Sequence, residues 1–311
     1  YMQCGHYYDA LEVSYNATAA DGKYISYANL GRGDRYLSSC CHNFHQLMTA
    51  ATYLGQYGAA LYAANSVQGL LTEDILRTEI PQLARTLESH YSMKSHVLVR
   101  FGKWEDIIRE PLPEDEKLYC VTTAMMRYAR GIAYAALGKH ALADIERTKF
   151  DEALVNIPTD RLIMNNQARA ILGVATEMLY GEVEYHRGNY DVAFKHLRQA
   201  VVNDDELNYS EPWSWMHPPR HALGALLLEQ GHVDEAEQVY RADLGLDGVL
   251  IAAKRHLNNV WSLHGLAECL RVKGKESEFA LIEPQLELAM ARTDPPITSS
   301  CHCRVATACC H

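Results

Sequence analysis

A chain of 311 residues, 48% of them hydrophobic, has ample apolar material for a continuous core. Its formal charge of −10, with both signs interspersed, argues against a nucleic-acid face, which needs clustered basic residues. No apolar run reaches the length of a membrane span; residues 249–253 come nearest and are far too short.

The chain opens on Tyr1, a few residues before the first of seven similarly placed glycines, with no charged segment leading into an apolar stretch. This start is expected to mark a fragment or processed product whose first repeat lacks its upstream helix. The absence of a signal segment says little about location, which stays open with a cytoplasmic one the first expectation. The sequons at Asn16 and Asn208, together with clustered cysteines, keep a secretory route open.

In chain order, residues 41–54 and 57–71 carry apolar residues at helical spacing on either side of Gly55. The pattern recurs at 119–137 and 140–155 around Gly138, and at 168–187 and 190–203 around Gly188. It continues at 218–230 and 233–244, then at 260–273 and 276–292. Pro218 and Pro219 suit a first helical turn, where a missing N–H costs nothing. Longer loops are expected near 22–38, 72–88, 110–118, 156–167, 204–216 and 245–259, the last apolar enough for an extra helix. No sustained strand alternation occurs.

Gly5, Gly55, Gly102, Gly138, Gly188, Gly231 and Gly274 share a setting. A bulky residue usually stands two positions later (Tyr7, Tyr57, Trp104, Tyr190), and a small or apolar one three further on (Ala10, Ala60, Ala143, Ala193, Ala236). A glycine at the turn with small residues on both helices allows close helix approach. Self-similarity at this period indicates stacked repeats.

The segment Gly131-Ile132-Ala133-Tyr134 leads into Gly138, and Leu223-Gly224 leads to Ala236 and Tyr240. Leu266-Ala267 precedes Gly274, while Ala193, Leu197 and Ala200 follow Gly188. In these residues the chain resembles the tetratricopeptide repeat (TPR) family, most closely over 119–280. Its glycine spacings of 36 to 50 residues depart from the family's period of about 34. The resemblance implies an all-α, right-handed α-solenoid of about seven irregular helix pairs over residues 1–292, followed by a Cys/His-rich tail at 293–311. It also implies a concave groove, lined by the first helix of each pair, that holds a partner protein or peptide.

Histidine supplies the candidate site. His45, His221 and His264 each stand ten residues before a turn glycine, which places them at equivalent groove positions. His42, Thr49, His96, Tyr128, Glu182, Tyr185, Trp261, Glu268 and Arg271 fall on the same expected face. Three readings stay open: a polar groove that hydrogen-bonds a partner, ordinary packing between helices, or a zinc or copper site using His42, His45, His217 and His221. In the tail, Cys301 and Cys303 offer thiolate ligands or a disulfide, with Cys309-Cys310-His311 beyond them. Trp213 and Trp215 either cover an edge of the array or anchor a partner.

No enzyme motif is found; Gly31-Arg32-Gly33 lacks the context of a phosphate loop, so a non-enzymatic role is expected. Cochaperone clamps of the family grip a terminal carboxylate with lysine and asparagine. The corresponding positions here hold His45, Thr49, Tyr128, Ile132, Met178 and Glu182, which implies a different partner. The sequence thus predicts a protein-interaction scaffold. The alternatives are a subunit that self-assembles through its ends as a homo-oligomer, and a His/Cys metalloprotein.

Overall fold

The computed structural model describes residues 1–28, 36–79 and 82–304. The Gly31-Arg32-Gly33 turn and Cys309-Cys310-His311 lie outside the described residues. The chain is mostly α-helical. The first elements are α1 (Tyr7–Ala28), α2 (Tyr36–Leu54), α3 (Tyr57–Leu70), α4 (Glu73–Leu76) and α5 (Leu83–Tyr91). They continue with α6 (Met93–Arg100), α7 (Trp104–Arg109), α8 (Cys120–Ala136) and α9 (His140–Val155). A two-residue hairpin, β1 (Leu162–Ile163) with β2 (Asn166–Gln167), precedes α10 (Ala168–His186) and α11 (Tyr190–Asp205). The last elements are α12 (Pro219–Glu229), α13 (Val233–Asp243), α14 (Val260–Val272) and α15 (Glu276–Met290).

Each of the seven turn glycines is left-handed, with φ between 62° and 84°. In each, the N–H of the residue after the glycine reaches back five positions to a carbonyl: His6 to Tyr1, Gln56 to Ala51, Lys103 to Leu98, Lys139 to Tyr134, Asn189 to Glu184, His232 to Leu227 and Lys275 to Leu270. That bond satisfies a helix-terminal carbonyl and turns the chain into the next helix. Consecutive helices therefore pack as pairs, α2 on α3, α8 on α9, α10 on α11, α12 on α13 and α14 on α15.

Some expected loops differ. Residues 72–88 contain α4 and the start of α5, and the expected extra helix in 245–259 is only a 3-10 turn at Ala252–Lys254. Glu88, on α5, is wholly buried and accepts hydrogen bonds from the Thr122 N–H at 2.8 Å and the Val121 N–H at 3.3 Å. It thereby caps α8 from another helix, where Tyr119 supplies no side-chain cap.

An ideal linear array touches only its neighbours. Here the last pair reaches the first: the Trp261 indole N–H on α14 donates to the Thr52 carbonyl on α2 at 2.8 Å. Beyond α15, Asp294 makes a parallel bridge with Gln56: its N–H donates to the Gly55 carbonyl and its carbonyl accepts from Tyr57. A methyl group on Gly55 would meet Ile297 at 2.6 Å, and one on Gly102 would meet His302 at 2.8 Å, whereas at Gly138, Gly188, Gly231 and Gly274 it would meet nothing. Residues 293–304 are therefore not a separate tail. Ile297, Ser299, Ser300 and Cys303 are buried in the same body as the helices.

Candidate functional site

Two non-helical segments are buried against the helices and make contacts far apart in the chain. The segment 206–218, between α11 and α12, brings in Trp213, Trp215 and His217, all buried. Trp215 packs edge-on against His96 (ring centroids 4.7 Å apart) and Tyr128 (5.5 Å). Trp213 lies 4.5 Å from the His256 ring and donates its indole N–H to the Ala253 carbonyl at 3.0 Å. The second segment is the strap 293–304. The Ser300 carbonyl accepts from Arg100 at 3.3 Å, and the Ser300 hydroxyl meets the hydroxyl of Tyr240. Arg304 closes the strap with a bidentate pair to Glu268, both contacts at 2.7 Å.

Most of the residues expected to line a groove are closed off from solvent. His45, Thr49, His96, Tyr128, Glu182, Tyr185, His221 and Trp261 are buried, His42, His264 and Glu268 are partly so, and Arg271 is exposed beside the Phe279 ring. Trp213 and Trp215 fill the interior instead of projecting toward solvent. The physical reason is that an apolar inner face this wide gains more by burying its own loops than by facing water. Asn16 is exposed within α1. Asn208 is exposed at its side chain while its N–H donates to Asn166 at 2.8 Å.

Two polar nests organise the interior. In one, His96 and His217 bring their Nδ1 atoms to 3.4 Å, so one ring donates and the other accepts. The Nε2 of His217 lies 3.4 Å from the Tyr128 hydroxyl. In the other, the wholly buried Asp243 at the end of α13 accepts from His221 Nε2 (2.9 Å), His256 Nδ1 (2.7 Å), Asn259 (2.9 Å) and Ser262 (2.6 Å). Burial alone would raise the Asp243 carboxyl; the field and hydrogen bonds of His221 and His256 outweigh it and hold the group well below its usual range.

Burial disfavours the charged form of His45, His90, His96 and His217. His90 and His221 are pulled down to about 4 and His96 to about 3, while His45 and His217 are also well below an ordinary histidine. Both ring nitrogens of His45 lack a hydrogen-bond partner. Glu182 is pushed up to about 8 by burial, so its carboxyl is protonated at neutral pH. Arg100, pulled down to about 9 by burial, stacks 3.5 Å from the Trp261 ring centre.

Of the four histidines considered as metal ligands, His217 faces His96 and His221 is committed to Asp243, away from His42 and His45. Cys301 and Cys303 form a disulfide with one another. Among the described residues no group of three or more His, Cys, Asp or Glu side chains is arranged to hold a metal ion, and no helix is long and apolar enough to cross a membrane. Arg100, His90, Asp243 and His256 are central to the site yet were not singled out from the sequence. Asp243 did carry a signal: an acidic residue in a last helical turn opposes the helix dipole and calls for compensating donors. No protein-family model and no curated protein matches the chain.

Proposed function

We propose that the chain is a right-handed, TPR-like α-solenoid of about seven irregular helix pairs that serves as a protein-interaction scaffold. Its inner face is a surface for non-helical polypeptide, occupied in this structure by the chain's own strap. The observation that carries this reading is the strap's manner of attachment. Asp294 is held through main-chain bonds to Gly55 and Tyr57, and Ser300 through its carbonyl to Arg100. Main-chain bonds of this kind give affinity to extended segments, while pockets for alternate side chains, here Ile297 beside Gly55, give selectivity. A partner segment of similar character takes the strap's place or binds beside it.

The test uses the 311-residue chain carrying Ile297→Asp, which sets a charge into an apolar site and loosens the strap. A fluorescent peptide of residues 293–304 is expected to bind this variant at least about tenfold more tightly than the wild type, whose site is filled. Absence of binding to a variant with an unchanged helical spectrum would count against the reading.

A further inference from the structure

The end of the strap holds a chemical feature that partner binding does not use. Cys301 and Cys303 are joined as a disulfide across a single residue, their Cα atoms 5.3 Å apart. Cys301 is partly exposed and Cys303 buried, so an incoming reagent reaches the Cys301 sulfur first. Both cysteines line a small cavity shared with Glu182, Arg100 and His217, with room for about one water. The other described cysteines of the helices differ: Cys40, Cys41, Cys120 and Cys269 are free, and burial pushes their thiols up to about 11 or 12, which leaves them unreactive.

Glu182 is the telling neighbour. It is buried on α10, and its Oε2 has no hydrogen-bond partner. A buried carboxyl without a partner costs free energy, and in a purely structural role an apolar residue would serve better. Kept as the acid by burial, it lines the same small cavity as Cys301 and Cys303. Breaking a buried disulfide requires such a proton, because the departing sulfur leaves as a thiolate and an unprotonated thiolate is costly in a low-dielectric interior.

We propose that Cys301 and Cys303 form a thiol–disulfide exchange site for a dithiol reductant, with Glu182 as the proton donor to Cys303. A thiolate of the reductant, its proton lost to solvent, attacks the Cys301 sulfur. The bond between Cys301 and Cys303 breaks, its electron pair goes to the Cys303 sulfur, and that sulfur takes the proton of Glu182. The second thiol of the reductant loses its proton to solvent and attacks the mixed disulfide at the reductant's own sulfur, and the Glu182 carboxylate takes its proton back from solvent. The reductant leaves as its internal disulfide, and Cys301 departs as a thiolate that is protonated from solvent. The protein disulfide is reduced by two electrons, the reductant is oxidised by two, and Glu182 ends as it began.

The experiment treats the oxidised 311-residue chain with dithiothreitol under native conditions. Differential alkylation with peptide mapping follows the Cys301 and Cys303 thiols, with rates normalised to reductant thiolate. The wild type is expected to be reduced while folded, with a normalised rate that falls as pH rises through about 8, where Glu182 loses its proton. Glu182→Gln, which preserves shape, is expected to react about tenfold or more slowly at pH 7 and to lose the pH dependence. Glu182→Asp is expected to recover part of the rate. Equal normalised rates for wild type and Glu182→Gln across pH would overturn the proposal. So would a pair already alkylated before reductant is added, or one reduced only after denaturation.

Discussion

Asp243→Ala is expected to destabilise the fold by about 3 to 5 kcal/mol, the scale for leaving a buried polar network without its charged member. The carboxylate joins three parts of the chain. His221 comes from α12, His256 and Asn259 from the segment before α14, and Ser262 from the first turn of α14. Removing the acceptor leaves four donors pointing into a space that excludes water, and each orphan costs about 1 to 3 kcal/mol before relaxation. Asn259 also caps α14, accepting from the Ser262 N–H at 2.9 Å, so its displacement frays that helix. Asp243→Asn keeps the volume but replaces an acceptor with a donor, and an intermediate loss of about 2 kcal/mol is expected. Urea unfolding followed by circular dichroism measures both. A loss below about 0.5 kcal/mol for the alanine variant, the range of ordinary surface changes, would show that the network is not structural.

Acid is expected to unfold the protein well above the range in which carboxylates titrate. His45, His90, His96, His217 and His221 are all buried, and burial lowers the pKa of each. In the unfolded chain each returns to about 6.5. As pH falls below that value the unfolded state takes up protons that the folded state cannot, so stability drops with falling pH. For His90, lowered to about 4, the loss at pH 5 is about 2 kcal/mol. His45, His96 and His217 act in the same direction, against a whole stability of about 5 to 15 kcal/mol for an ordinary domain. Glu182 acts in the opposite sense. Raised to about 8, its contribution is fully present below an ordinary carboxyl pKa and is lost as pH rises through about 8. Asp243, held low, keeps its contribution above an ordinary aspartate pKa and loses it only in stronger acid. The sum is a stability maximum near neutrality and a steep fall between about pH 6.5 and 4. Melting temperatures measured at pH 7 and pH 5 check this; equal values would mean that the histidines are solvated.

The helix pairs were legible because two local signals agree. Apolar residues recur at helical spacing, and each of the seven glycines occupies a left-handed turn that side chains disfavour. The same glycines served as rulers for the histidines: His45 and His221, ten residues before Gly55 and Gly231, are buried, whereas His264, ten before Gly274, is only partly so. What the rulers could not supply is what covers those side chains. Residues 206–218 and 293–304 have no periodicity, and their positions follow from contacts across the fold, such as Trp215 against His96 and Ile297 against Gly55. Arg100 was not singled out, because only the strap, through the Ser300 carbonyl, makes it a buried anchor. Gly102 illustrates both levels. Its φ of 62° is a local requirement, and the contact a side chain there would make with His302 is a long-range one.

The central claim is that the chain's own segments close its inner face. Hydroxyl-radical footprinting of the native protein tests this most directly, since oxidation of a side chain tracks its exposure. Trp215 and Trp261 are expected to be protected, while Tyr27 and Tyr62, at 90% and 52% exposure, react readily. Oxidation of Trp215 and Trp261 at rates matching Tyr62 would mean that the inner face is open in solution, and would contradict the account.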